Sequence, residues 1–218
     1  MTDKNTFQLE RIAFFSDAVI AIAITLLIIE IKAPVYDAAT AHPLAEFLHL
    51  IPEFVGVVIS FALISMHWRR NHQLFGIVNN YDSTLITLNL MTLASVIFLP
   101  FSTSFIAKNY STFWSSTTNL PLVIYSFNNF ACAFSSWLLF RYALDPNHGL
   151  FDPAETTENT RRIVLEVGYA AGVFVVTTIV AFFGPFLTLP CFALFALEPV
   201  FLKWRLGPEA ATPPSLEP

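Results

Sequence analysis

Charged residues are scarce in this sequence. Asp, Glu, Lys and Arg make up only 12% of the 218 residues, whereas hydrophobic residues make up 55%. A typical soluble domain has about 25% charged residues, which cover its surface with polar groups. The composition therefore excludes an ordinary water-soluble globule and predicts a protein embedded in lipid.

Motifs for nucleic acid, metal or catalysis are also missing. The net charge is -5, and no run of Lys or Arg could follow a phosphate backbone, so nucleic acid is excluded as a partner. The cysteines, Cys132 and Cys191, have no CxxC spacing and the five histidines form no HxxxH motif. No convergent nucleophile or acid–base pair is recognisable. We therefore expect no cofactor, no structural metal and no enzymatic activity.

Long apolar segments account for nearly the whole chain. A helix needs about 20 mostly apolar residues to cross the hydrocarbon core of a bilayer. Prolines and polar clusters separate six segments of that length. We predict an all-α polytopic membrane protein with one domain over 1–205. Its transmembrane helices are placed at about 12–31, 48–68, 84–107, 119–141, 162–183 and 186–204. Pro100 predicts a kink in the third helix, and the proline-rich tail, 206–218, is expected to be disordered.

The cations are distributed unevenly between the two ends of these helices. Only Lys32 and Lys108 lie at one end. Nine lie at the other: Lys4, Arg11, Arg69, Arg70, Arg141, Arg161, Arg162, Lys203 and Arg205. Lysine and arginine are retained on the cytoplasmic side of short loops. We therefore expect an integral membrane protein with both termini in the cytoplasm, which the even number of crossings also requires.

The first predicted helix carries two different stripes, which lie about 140° apart when each residue turns the helix by about 100°. One stripe consists of Arg11, Phe15, Ala18, Ile22, Thr25, Leu26 and Ile29. The other consists of Asp17, Ala21, Ile24 and Ile28. The first stripe has a nearly heptad spacing, which indicates packing against symmetry copies or another close neighbour. Ordinary helix packing is the alternative explanation.

Asp17 requires a partner, because an ionised carboxylate in a membrane helix costs roughly 2.5–3.5 kcal/mol. The topology brings residues 67–70 of the second helix and Asn89 of the third to a similar depth. One interpretation is a polar clamp that holds three helices together, formed by Arg11, Ser16, Asp17, His67 and Asn89. The other is direct contact between Asp17 and a transported ion.

The opening of the first helix has a specific motif, Arg-x-x-x-Phe-Ser-Asp, formed by Arg11, Phe15, Ser16 and Asp17. With the run AVIAIAITLLIIEI that follows, it resembles the first helix of the transmembrane protein 175 family of potassium channels. This family is found in bacteria and, in a duplicated form, in lysosomes and endosomes. The segments HWRRNHQLF (67–75) and FLPFS (98–102) are also similar, and the six-helix layout covers the whole chain. Asn71 departs from the pattern, since the family has the first of two adjacent histidines there.

The resemblance implies a homotetramer, in a bacterial inner membrane, with a central pore lined by the first helix of each subunit. Ile22, Thr25, Leu26 and Ile29 would then face the axis as rings. Asp17, on the other stripe, would face inward to the helices of its own subunit. The clamp residues would anchor and orient the pore helix, with Phe15 packed at the cytoplasmic entrance. The expected partners are three further copies of the chain, membrane lipid and the permeant potassium ion.

A carbonyl-lined filter of the Thr-Val-Gly-Tyr-Gly kind is absent, and the chain has only seven glycines. Selection would therefore depend on a narrow isoleucine ring that makes ions shed water, with potassium held transiently near Ile22 and Thr25. Potassium loses its water more easily than sodium, so we expect a modest preference for potassium. The same ring would act as a hydrophobic gate.

Other functions are also compatible with a polytopic membrane protein. A proton-coupled or proton-conducting transporter could use Asp17 and His67. Against it, the sequence shows no internal repeat and no pair of Gly/Pro-broken helices of the kind that transporters use at the midplane. A purely structural membrane protein is a further alternative.

Overall fold

The computed structural model describes residues 2–34, 43–112, 119–152 and 157–207. The α-helices are α1 (Thr2–Ile29), α2 (Pro43–Leu48), α3 (Ile51–Ile77), α4 (Ser83–Ile97), α5 (Leu99–Lys108), α6 (Leu120–Ala143), α7 (Thr157–Ala181), α8 (Pro185–Cys191) and α9 (Glu198–Leu206). Short 3-10 helices span Tyr110–Thr112, Pro146–His148 and Phe192–Leu197. Within these described ranges there is no β-strand, and an isolated bridge joins Val78 to Phe151.

Six stretches are long and apolar enough to cross a membrane. They are Asn5–Ile29, Glu46–Ile77, Ser83–Lys108, Leu120–Ala143, Thr160–Ala181 and Pro185–Leu206. The predicted fold class, an all-α protein with six transmembrane helices, is confirmed. The predicted tail can be followed only to Gly207, because residues 208–218 lie outside the described part of the chain.

The first two crossings are longer than predicted. The helix of the first begins at Thr2 instead of residue 12, and that of the second continues to Ile77 instead of ending at residue 68. Hydropathy falls at Arg69 and Arg70, which is why the sequence suggested an end there. The helix continues because Asn71 and Leu74 are buried against neighbouring helices, and this packing holds it beyond its most apolar part.

Prolines interrupt the third and sixth crossings. The third consists of α4 and α5, which meet at Phe98, and Pro100 stands in the first turn of α5. Pro100 has no N–H and cannot donate to a carbonyl of the preceding turn, so the helix breaks at that point. The sixth is not the continuous helix expected over 186–204. It consists of α8, a 3-10 segment and α9, with Pro190 inside α8 and Pro199 in the first turn of α9.

Two layers of helices build the subunit. In the first, α1 packs mainly against α3, α4 and α5, and its apolar contacts include Ile20, Ala23 and Leu27. In the second, α6 packs against α7, while α8 and α9 lie against α7. α6 also packs on α4 and α5, so it joins the layers. This arrangement places α1 at one side of the bundle, with one face covered and the other open.

Candidate pore helix and its anchoring network

The open face of α1 coincides with the stripe predicted to line a pore. The side chain of Ile22 is 59% exposed, that of Ile29 is 68% exposed and that of Leu26 is 38% exposed. Thr25 is exposed between them. Each of these side chains is apolar or weakly polar. No other helix in the described part of the same subunit covers them. A transmembrane helix that leaves such a stripe uncovered presents it to lipid, to another subunit or to a conduction path.

The covered face of α1 differs from the second predicted stripe. Ser16, Ile20, Ala23 and Leu27 are the buried residues, whereas Ala21 and Ile28 are exposed. Of the predicted inward stripe, Asp17 and Ile24 are partly buried. Asp17 belongs to the stripe predicted to face inward. In the structure Asp17 lies at the edge of that face, where a long side chain from α3 reaches it.

A chain of hydrogen bonds joins α1, α3 and α4 through buried side chains. The Asn71 amide donates to Asn89 Oδ1 at 3.0 Å, and the Asn89 amide donates to Ser16 Oγ at 2.8 Å. The Ser16 hydroxyl then donates to the carbonyl of Ile12 at 2.9 Å. Asn89 is only 1% exposed. Unpaired polar groups are costly in an apolar surrounding. This series of hydrogen bonds therefore favours one arrangement of the three helices.

A second contact between α1 and α3 lies beside this chain. The indole Nε1 of Trp68 donates to Asp17 Oδ1 at 2.8 Å. The Trp68 ring is also stacked on His72, with 5.6 Å between ring centroids. Asp17 therefore has a neutral hydrogen-bond donor as its partner within the subunit. We define Ser16, Asp17, Trp68, Asn71 and Asn89 as the anchoring network.

Two residues of the predicted clamp, Arg11 and His67, and the motif residue Phe15 do not take part in this network within one subunit. Arg11 is exposed and donates to Gln8 on its own helix at 3.4 Å. Phe15 is exposed on the same open face as Ile22. Both belong to the first stripe, which turns away from α3 and α4. His67 is buried, but its Nδ1 has no hydrogen-bond partner among the described residues.

Asn71 and Trp68 are the network residues that the prediction of a clamp did not include. The predicted end of the second helix at residue 68 places Asn71 in a loop. Its spacing of four from His67 and three from Leu74 places it on the buried side of α3. The spacing of Asn71 from His67 and Leu74 is recognisable in the sequence once the second helix is continued beyond residue 68. Trp68 lies within residues 67–70, the segment predicted to reach the depth of Asp17.

The hydroxyl of Thr25 is oriented by its own helix. Thr25 Oγ1 donates to the carbonyl of Ile22 at 2.8 Å. A hydroxyl that donates its hydrogen to the backbone retains oxygen lone pairs that can accept or coordinate. The open face of α1 therefore presents an apolar level at Ile22 and an oxygen-bearing level one turn further along.

The far end of α1 carries an ionic contact. Glu30 Oε2 lies 3.4 Å from Lys108 Nζ at the end of α5, and both side chains are substantially exposed. A hydrogen bond from Ser104 and the proximity of Lys108 hold the pKa of Glu30 below its usual value. The carboxylate is thus ionised at neutral pH. In the part of the chain that the structure describes, no three His, Cys, Asp or Glu side chains are grouped closely enough to hold a metal ion.

The sequence is similar to those of known potassium channels. The family model of the endosomal/lysosomal potassium channel TMEM175 matches residues 11–100. A potassium channel of Streptomyces collinus is 30% identical over 207 residues, which covers 94% of this chain and 98% of the relative. A potassium channel of Chamaesiphon minutus is 38% identical over 99 residues, or 45% of this chain and 49% of the relative. Potassium channels are not enzymes, which agrees with the expectation of no enzymatic activity.

Solved structures share the same architecture. The crystal structure of a lysosomal potassium-selective channel TMEM175 homolog from Chamaesiphon minutus matches with a TM-score of 0.71 and 26% identity, over 92% of this chain and 99% of that one. A further potassium channel, MtTMEM175, matches with a TM-score of 0.58 and 22% identity over 88% of each chain, which supports the fold alone. On the full-length similarity to the Streptomyces channel and on this fold, the chain belongs to the TMEM175 family.

Proposed function

We propose that this chain is a subunit of a potassium channel and that four copies surround a central pore lined by α1. The observation that carries the proposal is the open face of α1. Ile22, Leu26 and Ile29 are exposed on it, while the opposite face is buried and tied to α3 and α4 by the anchoring network. The family membership of the chain supports potassium as the permeant ion.

The narrow point of the pore is assigned to Ile22. Four branched alkyl side chains at one level form a hydrophobic constriction, which an ion crosses only after losing part of its water. Thr25 lies about 4.5 Å further along the helix axis at 1.5 Å per residue. Its oxygen lone pairs offer partial replacement of the lost water. Such a pore selects modestly for potassium over sodium, and the ring at Ile22 also serves as the gate.

The anchoring network keeps the pore stripe directed at the axis. Rotation of α1 by one residue position, about 100°, would separate Ser16 from Asn89 and Asp17 from Trp68. The buried amides and the carboxylate would then lose their partners in the membrane. Asp17 therefore acts on α1 through Trp68 and lies outside the ion path.

Recording from purified protein in a planar lipid bilayer tests this function. We expect discrete current steps in symmetrical potassium solutions, with a reversal potential that shifts toward the potassium equilibrium potential when sodium replaces potassium on one side. A resolvable current step corresponds to more ions per second than the turnover of any transporter delivers. Flux without resolvable steps, coupled to a proton gradient, would support the transporter alternative based on Asp17 and His67.

In the proposed orientation, both termini and the loop containing Asp152 lie on the cytoplasmic side of a bacterial inner membrane. Nine of the eleven cations lie at that end of the helices. A cysteine replacing the exposed Asn147 should not react with an impermeant thiol reagent in intact cells. A cysteine replacing Tyr110, exposed at the opposite end, should react. The parent protein, with Cys132 and Cys191, gives the background. Labelling of Asn147→Cys without lysis would reverse the assigned orientation.

A further inference from the structure

A long groove runs between α6 and α7 on the side of the subunit formed by the second layer of helices. It consists of two cavities, of about 670 Å³ and about 510 Å³, which share Arg141, Val164 and Leu165 in their walls. The larger cavity continues along α7 as far as Val176 and is bounded by Phe201 of α9. We call the two together the α6–α7 groove.

The walls of the larger cavity are mainly apolar. They include Val164, Val173, Val176 and Phe201. From Arg161 to Val176 the groove extends about 22 Å at 1.5 Å per residue. One leaflet of the hydrocarbon core is about 15 Å thick. The groove is therefore long enough to hold an acyl chain that enters from one membrane surface.

The end of the groove nearest the membrane surface is basic. Arg141 stands in the last turn of α6 and Arg161 in the second turn of α7, so both lie at the same end of the bundle. Both are exposed, and neither forms a salt bridge with any described residue. The Arg141 guanidinium lies over the Trp137 ring, 5.4 Å from its centroid. This contact holds the cation above the apolar part of the groove.

Other charged groups near this end do not neutralise the two arginines directly. Asp145 lines the smaller cavity, but its carboxylate accepts hydrogen bonds from the backbone N–H and the side chain of Asn147. These bonds, together with the nearby His148 and Arg141, hold the pKa of Asp145 below its usual value. Arg162 is paired with Glu166 at 2.7 Å and does not line the groove. Among the residues that line the smaller cavity, Arg141 and Arg161 therefore outnumber the one carboxylate, that of Asp145.

We propose that the α6–α7 groove binds an anionic phospholipid, with its phosphate between Arg141 and Arg161 and an acyl chain in the apolar cavity. The charge of the groove and its shape both match this ligand. A basic rim at the membrane surface attracts an anionic headgroup, and an apolar channel that continues from it matches the attached chain. A cavity of this size is in the range of about 300–1,000 Å³ that ligand pockets have.

Lipid binding measured by native mass spectrometry tests the proposal. Detergent-purified protein is titrated with dioleoyl phosphatidylglycerol or with dioleoyl phosphatidylcholine, which carry the same acyl chains. We expect tighter binding of the anionic lipid. The double variant Arg141→Gln, Arg161→Gln should lose about 30-fold in affinity for phosphatidylglycerol, or about fivefold for each arginine. Arg205→Gln is the matched control, because Arg205 is an exposed arginine over Trp204 at the same end of the bundle.

A second pair of variants tests the acyl-chain part of the groove. Gly172 lines the groove, and a Cβ atom added there would meet nothing within 4 Å. Gly172→Leu should fill the channel without a steric clash and weaken binding of both lipids. Gly76→Leu is the control, since Gly76 also has open space and stands in a helix outside the groove. Inorganic phosphate should not displace the lipid, because it has no chain to bury.

Several results would overturn the assignment. They are equal binding of the two lipids by the parent protein, equal losses in the double variant and in Arg205→Gln, or equal losses in Gly172→Leu and Gly76→Leu. Displacement by inorganic phosphate would reduce the site to a surface anion site and also overturn it. None of these measurements depends on ion conduction, so a failure here is distinct from a failure of the proposed channel function.

Discussion

Replacing Ile22 by Asn is expected to raise potassium flux and to reduce discrimination against sodium. The substitution places polar amides where four branched alkyl side chains form the proposed constriction. Water then fills the narrow point, and the energy an ion needs to cross it falls. Each 1.4 kcal/mol removed from the barrier raises the flux about tenfold. Flux from liposomes with matched protein content, first in potassium and then in sodium, measures both effects.

Ile24→Asn is the control for a general loosening of the helix. Ile24 lies on the other side of α1, partly buried against the apolar cluster that contains Ile20 and Leu27. An amide at this position damages packing and should lower the amount of folded protein. It should not raise the flux per channel. Unchanged flux and selectivity in correctly assembled Ile22→Asn would show that this face of α1 does not line the conduction path.

Replacing Asn89 by Ala should strongly reduce the amount of assembled channel. The side chain is buried and bonds both Asn71 and Ser16, so its removal leaves an amide and a hydroxyl without their partner. A buried polar group left unsatisfied costs about 1–3 kcal/mol. The Asn71 amide is such a group here, whereas the Ser16 hydroxyl still donates to the carbonyl of Ile12. The yield of the proposed tetramer after mild detergent extraction and its thermal midpoint measure the loss. Thr87→Ala is the control on the same helix, because Thr87 is exposed and bonds only the carbonyl of Ser83.

Asp17→Ala is expected to act in the same direction, with a smaller effect. It removes the acceptor of the Trp68 indole, and Trp68 is partly exposed, so its N–H can find another partner. Conduction per assembled channel should survive in both variants. A normal amount of tetramer with abolished current in Asp17→Ala would place the carboxylate in the ion path and contradict its assignment to the anchoring network.

The stripe on α1 shows what sequence periodicity can and cannot predict. The spacing of Ile22, Thr25 and Ile29 was sufficient to select the face that the structure leaves open, because a helix places residues three, four and seven apart on one side. The opposite face was placed less accurately. Its centre depends on which neighbours cover α1, and Ser16, Ile20 and Ala23 became the buried set because α3, α4 and α5 lie on that side.

Asn71 illustrates the limit of hydropathy. A charged pair, Arg69 and Arg70, marks the end of the apolar segment but not the end of the helix. The backbone remains helical because each residue there still bonds the preceding turn, and because one side of the extension is buried. A polar residue in this position becomes a network member only through a partner from another helix, here Asn89. No local pattern identifies that partner.

The sequence by itself determined the class of the protein, its six crossings, the motif at the start of the first helix and the face of that helix with pore-like spacing. These depend on composition, on the length of apolar segments and on the helical repeat, all of which are local. The tertiary structure decided that Asn71, Asn89 and Ser16 form one chain of hydrogen bonds and that Trp68 is the partner of Asp17. It also placed Arg141 and Arg161 at one end of a shared groove. Contacts between residues far apart in sequence depend on how helices pack, and packing is a property of the whole bundle.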